Sequence, residues 1–170
     1  PLALEFAKTH TCRITGQFLE RRVFGFDINQ ERINQLKQCY DSTLEINPDE
    51  LHLLKEITFT NSIEDISDSD VFIVTVPTPI DSSKKPILEP LRSASITIAK
   101  CLSNSTKALS KNIKPVILYE STVFPGATEE ICIPIIEKYA KKHSHTDFVY
   151  GYSPERVNPG DKQHRLTNIK

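Results

Sequence analysis

The sequence has no glycine-rich turn. Its five glycines, at positions 16, 25, 126, 151 and 160, are scattered. None falls in the G-x-G-x-x-G spacing that lets a backbone approach a pyrophosphate. An excess of charge of one sign is also missing: 21 basic and 22 acidic residues leave a net charge of -1, with a pI near 6.6. Nucleic acid and anionic membrane surfaces attract proteins through a basic surplus, so bulk electrostatics points to neither as a partner. Long apolar runs are lacking, and so is a basic segment leading into a signal-like apolar core. No membrane span is expected and the chain reads as cytoplasmic. Cysteine is sparse and dispersed, at 12, 39, 101 and 132, with no CxxC pair, and only His143 and His145 lie close enough to suggest joint ligation. Neither a zinc site nor a disulfide framework is indicated, and the lone cysteines read as small hydrophobes.

What the sequence does contain is alternation. Strand-like runs occur at Val23–Phe26, Ile57–Thr60, 71–76, Val116–Tyr119 and 148–152, and most of the gaps between them are helix-like. That order predicts an α/β fold with a parallel sheet and crossover helices, within a length that suits one domain. The opening PLALEFAK reads as the body of a helix. Asn29 precedes a helix-like QERINQLKQ, and Asn47, Pro48 and Glu50 supply a cap, a first-turn proline and an early acid for the next helix. The run DVFIVTV is apolar almost throughout, as expected of a central strand covered on both faces. Residues 77–90, rich in proline and polar side chains, predict a loop at the carboxyl edge of the sheet, where open α/β folds bind ligands. Helices follow at 91–102 and at 126–142, the second opened at Pro134. Residues 9–22 are too many for a compact connection, which predicts an insertion or a continued first helix.

Three places carry residue types suited to chemistry. The run Val23–Phe26 ends in Asp27. An acid at the end of a second parallel strand is where such folds hold the ribose of NAD, whereas a nearby arginine suits NADP. A helix-capping or solvated acid is the alternative. In PVILYESTVFPGATEE a strand runs into Ser121 and Thr122, and a Pro125-Gly126 turn opens a helix, so hydroxyls and helix amides can meet one crevice. Ordinary capping is again the alternative. In GYSPERVNPGD, Glu155 and Arg156 stand between Pro154 and Pro159, either as a restrained charged pair or as a rigid surface turn.

Taken in order, PLALEFAK, GFDIN, TVPTP, YESTVFPGATEE and GYSPERVNPGD resemble the UDP-glucose/GDP-mannose dehydrogenase family, especially its UDP-N-acetylhexosamine branch. The resemblance implies NAD as cofactor and a UDP-sugar as substrate, oxidised at C6 from alcohol to acid for polysaccharide biosynthesis. It implies that Asp27, Thr78 and Ser121 serve the cofactor and that Thr122 positions a water. Glu155 would then act as general acid or base, with Arg156 and Asn158 on the substrate side. It also implies an incomplete Rossmann-like doubly wound parallel sheet over residues 1–170, a partial NAD-binding domain. The first strand and glycine loop are not in the sequence, nor are the family's central and UDP-binding domains, through which its members form homo-oligomers.

These departures set further expectations. The first strand lies at the centre of the 3-2-1-4-5-6 order, so two open sheet edges are predicted. None of the four cysteines matches the family's nucleophile, and the chain is expected to be inactive by itself. A noncatalytic remnant without cofactor binding and part of a 3-hydroxyacid dehydrogenase are the alternative readings.

Overall fold

The computed structural model describes residues 1–8, 11–12, 14–19, 21–106 and 114–154. These divide into two units, Pro1–Ser62 and a second beginning at Ile63.

In the first unit, α1 (Leu2–Lys8), β1 (Val23–Phe26), α2 (Gln30–Lys37), a 3-10 helix (Pro48–Glu56) and β2 (Ile57–Thr60) follow one another. Strands β1 and β2 pair in parallel, with Val23 opposite Ile57 and Phe26 opposite Thr60. Gly25 sits opposite Phe59, and a Cβ at Gly25 would come within 2.6 Å of the Phe59 ring. Leu4, Ile33, Leu54, Ile57 and Phe59 form the core. Asn29 caps α2 as predicted, accepting the amides of Glu31 at 2.9 Å and Arg32 at 3.2 Å. The next helix departs from prediction: it is 3-10, and the Asn47 side chain makes no capping bond. Leu54 lies in the core, and the partly buried Leu51 and Leu53 pack against it. Within 9–22, Thr11 and Phe18 form an antiparallel bridge, and Gly16, at φ +69°, donates to the Cys12 carbonyl at 2.8 Å. The described part of this stretch is therefore a small hairpin, not a continuation of α1.

The second unit contains α3 (Ile63–Ile66), β3 (Val71–Val74), α4 (Glu89–Asn104), β4 (Val116–Tyr119), a π-helical turn (Thr128–Cys132), α5 (Ile133–Ala140) and β5 (Val149–Tyr152). Its sheet is parallel, in the order β3-β4-β5. Leu91, Ser95, Ile98 and Leu102, spaced four, three and four apart, are the buried face of α4. Asp68 fixes the chain just past the end of α4, accepting from the Ser105 hydroxyl at 2.9 Å and from the Thr106 amide and hydroxyl at 2.9 and 2.8 Å. The opening predicted at Pro134 occurs one turn earlier. The Ile133 amide reaches back five residues to the Thr128 carbonyl, which moves backbone carbonyls off the proline ring that an α-turn would bring against the carbonyl of Glu130.

Among the described residues β1 and β3 each pair on one side only, the two open edges that were expected. The expected central place of DVFIVTV is corrected accordingly. Among the described residues strand β3 stands at the end of its sheet, and Val71 at its start is 52% exposed.

Candidate functional site

In the first unit, Asp27 follows β1 directly. Its amide donates to the Thr60 carbonyl at 3.2 Å, extending the β1–β2 pairing by one residue. Its Oδ1 accepts the Asn29 amide at 2.8 Å, which aims the half-buried carboxylate at the turn leading into α2. The geometry suits an acid at a strand end with lone pairs left for a diol. Across the start of α2, the Asn61 amide donates to Gln30 Oε1 at 2.6 Å, tying the end of β2 to the helix.

A buried carboxylate that sequence reading passed over organises the loop after α2. Asp41 accepts from Arg32 Nη2 at 2.6 Å, from the Thr43 hydroxyl at 2.7 Å, and from the amides of Glu45 and Ile46 at 3.0 Å each. Burial alone would raise this carboxyl. The Arg32 guanidinium, the Thr43 hydroxyl and the loop amides outweigh it and hold Asp41 well below the usual carboxylate range. The available signal was the tripeptide Asp41-Ser42-Thr43, whose side chains favour local bonding to backbone over helix.

In the second unit, the carboxyl ends of β3 and β4 are joined by a side chain. Ser121, 5% exposed, donates its hydroxyl to the Val76 carbonyl at 2.7 Å. Two residues beyond Val76, the Thr78 hydroxyl is buried without a hydrogen-bond partner. A buried hydroxyl left unpaired costs about 1–3 kcal/mol, and a native fold rarely retains one without a use for it. Pro77 and Pro79 restrict the backbone on either side of it. Residues 80–86 close into a turn, with Asp81 Oδ1 accepting the amides of Ser83 at 2.8 Å and Lys85 at 2.9 Å. Thr122, next to Ser121, is exposed. Gly126 follows at φ +90°, where a Cβ would meet Glu130 Oε1 at 2.9 Å. Only glycine suits that turn into the helix.

Thr78, Ser121 and Thr122 thus share the carboxyl edge of one sheet, and Asp27 belongs to the other unit. Glu155, Arg156 and Asn158 lie outside the described residues. Among the cysteines, Cys101 and Cys132 are buried. Burial pushes the Cys101 thiol up to about 11 and raises that of Cys132 as well, so both remain protonated and inert. Cys12 and Cys39 are only partly buried. The described residues contain no cluster of three or more metal-ligating side chains and no helix long and apolar enough to cross a membrane.

Residues 10–170 match the UDP-glucose/GDP-mannose dehydrogenase family, NAD binding domain. The chain belongs to that family. UDP-N-acetyl-D-glucosamine 6-dehydrogenase of Pseudomonas aeruginosa is 48% identical to it over 170 residues, which cover 100% of this chain and 36% of that protein. The enzyme of the same name from Salmonella typhi is 44% identical, again over 100% of this chain and 35% of its own length. Among solved structures, UDP-D-ManNAc dehydrogenase from Pyrococcus horikoshii aligns with a TM-score of 0.73 at 28% identity, covering 94% of this chain and 34% of that one. The chain therefore spans about a third of the length of the curated relatives it matches. The match to this NAD binding domain model replaces the 3-hydroxyacid alternative.

Proposed function

We propose that this chain supplies the dinucleotide side of an NAD-dependent oxidation of a UDP-N-acetylhexosamine at C6. The observation that carries the reading is the unpartnered Thr78 hydroxyl, held on a loop whose carbonyl at Val76 is fixed by Ser121. A polar ligand arriving at the sheet edge would satisfy that hydroxyl, and the residues present fit a ribose or phosphate oxygen there. Asp27 offers a second such group, a carboxylate able to accept both hydroxyls of a ribose. When bound, NAD would supply the hydride acceptor for the oxidation at C6.

The chain's own residues divide the remaining work. Asp27 and Thr78 bind, and Ser121 serves chiefly by positioning the Thr78 loop, since its proton is committed to Val76. Thr122, exposed beside it, holds a water for the hydrolytic half of the reaction. By the family resemblance, Glu155 is assigned proton exchange with the substrate, and Arg156 and Asn158 are assigned to substrate binding. The 48% and 44% identities to UDP-N-acetyl-D-glucosamine 6-dehydrogenases support this substrate class. The reading includes a cytoplasmic setting and assembly of the whole protein as a homo-oligomer.

Two measurements test the reading. Titrating the chain with NAD should shift the amide resonances of Asp27, Thr78 and Ser121 in two-dimensional NMR, and Thr78→Val should weaken the response. Spectra unchanged at millimolar NAD would favour the noncatalytic remnant. Joining the chain to the remaining segments of the Pseudomonas aeruginosa relative should give a protein that reduces NAD with UDP-N-acetylglucosamine. A chimera that folds and binds NAD but oxidises no UDP-sugar would refute the substrate class.

A further inference from the structure

We infer that Pro134 is a positioning residue for Thr122, acting through the register of the helix that follows the Thr122 turn; where it concerns the reaction, the inference rests on the function proposed above. The buried stripe of this helix slips by one residue. Ala127 and Thr128 are buried, and the next buried pair, Cys132 and Ile133, comes five residues later, whereas Ile136 and Ala140 follow at the three- and four-residue steps of an α-helix. A five-residue step matches the hydrogen bond of a π-turn, and the Ile133 amide does reach the Thr128 carbonyl five residues back. One residue more than an α-turn would hold is therefore stored between Thr128 and Ile133.

Both ends of the segment are anchored. Upstream, the Glu120 amide donates to the Val74 carbonyl at 2.9 Å and the Ser121 hydroxyl to the Val76 carbonyl at 2.7 Å, which ties the end of β4 to β3. Downstream, α5 packs along α4, with Ile133 and Ile136 buried. The number of residues between the anchors is constant, so a residue released from the π-turn has to enter the turn that holds Thr122 and Gly126. With α5 held in place, an α register would rotate the chain ahead of Ile133 by about 100° and shift it by about 1.5 Å. Glu129 would turn toward the buried face and Ala127 away from it, and Thr122 would move with the turn. Pro134 blocks that register, because an α-turn would press its ring against the Glu130 carbonyl and it has no amide to donate there. Pro134 is itself exposed. Its contribution is therefore to the backbone register and not to packing of the core.

The test is a rescue. Pro134→Ala supplies an amide for the Glu130 carbonyl and places the best helix former in a helix, so the variant should fold. In two-dimensional NMR of the chain, its Thr122 and Gly126 amide resonances should be displaced while those of β5 stay in place. Removing Glu129 in the same background leaves Ala127 and Thr128 four residues from Cys132 and Ile133, an α step, and should return Thr122 and Gly126 to their original positions. A proline that only stiffened the helix would show no such rescue. Unmoved resonances in Pro134→Ala, or a displacement that removal of Glu129 does not reverse, overturns the inference. In the chimera with the Pseudomonas aeruginosa relative, Pro134→Ala should lower kcat about a hundredfold, the scale of a misplacement near 1 Å, with KM little changed, and removal of Glu129 should restore it. Displaced resonances with kcat unchanged overturn the positioning role. A chimera of unaltered sequence that binds NAD but oxidises no UDP-sugar refutes the proposed function instead, and the NMR comparison then decides by itself whether Pro134 controls the turn.

Discussion

Replacing Gly25 with alanine tests whether the β1–β2 pair is as tightly closed as the structure shows. A Cβ at this position would lie 2.6 Å from both Cδ1 and Cε1 of Phe59, with Ile57 Cγ2 at 3.6 Å behind. Ordinary carbon contacts begin near 3.5 Å, so the added methyl overlaps the ring by about 1 Å. Phe59 is 7% exposed and packed in the first unit's core, which leaves the ring little room to retreat. Overpacking of this kind costs about 1–3 kcal/mol. Set against a domain stability of about 5–15 kcal/mol, that is a substantial loss for one methyl group. With a urea dependence of about 1–3 kcal/mol per molar, the midpoint followed by far-ultraviolet circular dichroism should fall by roughly 1 M. The partner variant makes the reasoning specific. Phe59→Leu costs stability by itself but vacates the ring edge, so Gly25→Ala should be nearly neutral in that background, a coupling that a double-mutant cycle reads directly. An unchanged midpoint in Gly25→Ala, or equal losses in the two backgrounds, would refute the close approach. Because Asp27 follows two residues later, the same variant should also weaken NAD-induced shifts at Asp27 more than those at Thr78.

Acid should loosen the loop after α2. The Asp41 carboxyl is depressed in the folded state, so its stabilising contribution is present above the unfolded value near 3.9 and is lost as pH falls through the lower native one. Hydrogen exchange at the Glu45 and Ile46 amides should therefore accelerate below about pH 4 relative to the core of α4, and equal protection down to the global acid transition would contradict this. In the second unit, the Tyr119 and Ser95 hydroxyls meet at 2.7 Å, and Ser95 also donates to the Leu91 carbonyl at 2.9 Å. Tyr119→Phe should cost about 0.5–1.5 kcal/mol and Ser95→Ala more, because the second leaves a buried phenol short of a partner; a reversed order in thermal melts would count against the bond.

The strands were the most legible elements. Val23–Phe26, Ile57–Thr60 and Val116–Tyr119 coincide with their apolar runs, whereas β3 ends at Val74, two residues short of its run. The helix predicted at 91–102 extends two residues further at each end, because a first-turn proline and polar ends dilute an apolar period without breaking it. Pattern reading failed where the period itself changed. The cap, proline and early acid at Asn47, Pro48 and Glu50 read as a helix start but do not distinguish 3-10 from α, and Pro134 marked an opening whose actual place depends on which carbonyl its ring would strike. The motifs marked Thr78 and Ser121 as candidates, which the second unit brings to one sheet's carboxyl edge, and Asp27 as a separate candidate that directly follows β1. That Ser121 spends its proton on Val76, and that Arg32 is held by Asp41, depend on contacts 45 and nine residues apart in sequence. No local pattern encodes such contacts.

The two sheets finish on strands whose outward amides and carbonyls pair with nothing among the described residues. Edges of this sort act as templates, because any extended chain that lies alongside gains a ladder of hydrogen bonds at once. Strand β3 adds an apolar lure in Val71, 52% exposed, and the short strands β1 and β3 carry no proline to turn a visitor away. The consequence concerns the company this molecule keeps. An extended segment in matching register should therefore add to either edge, and at high concentration a second copy of the chain can supply it.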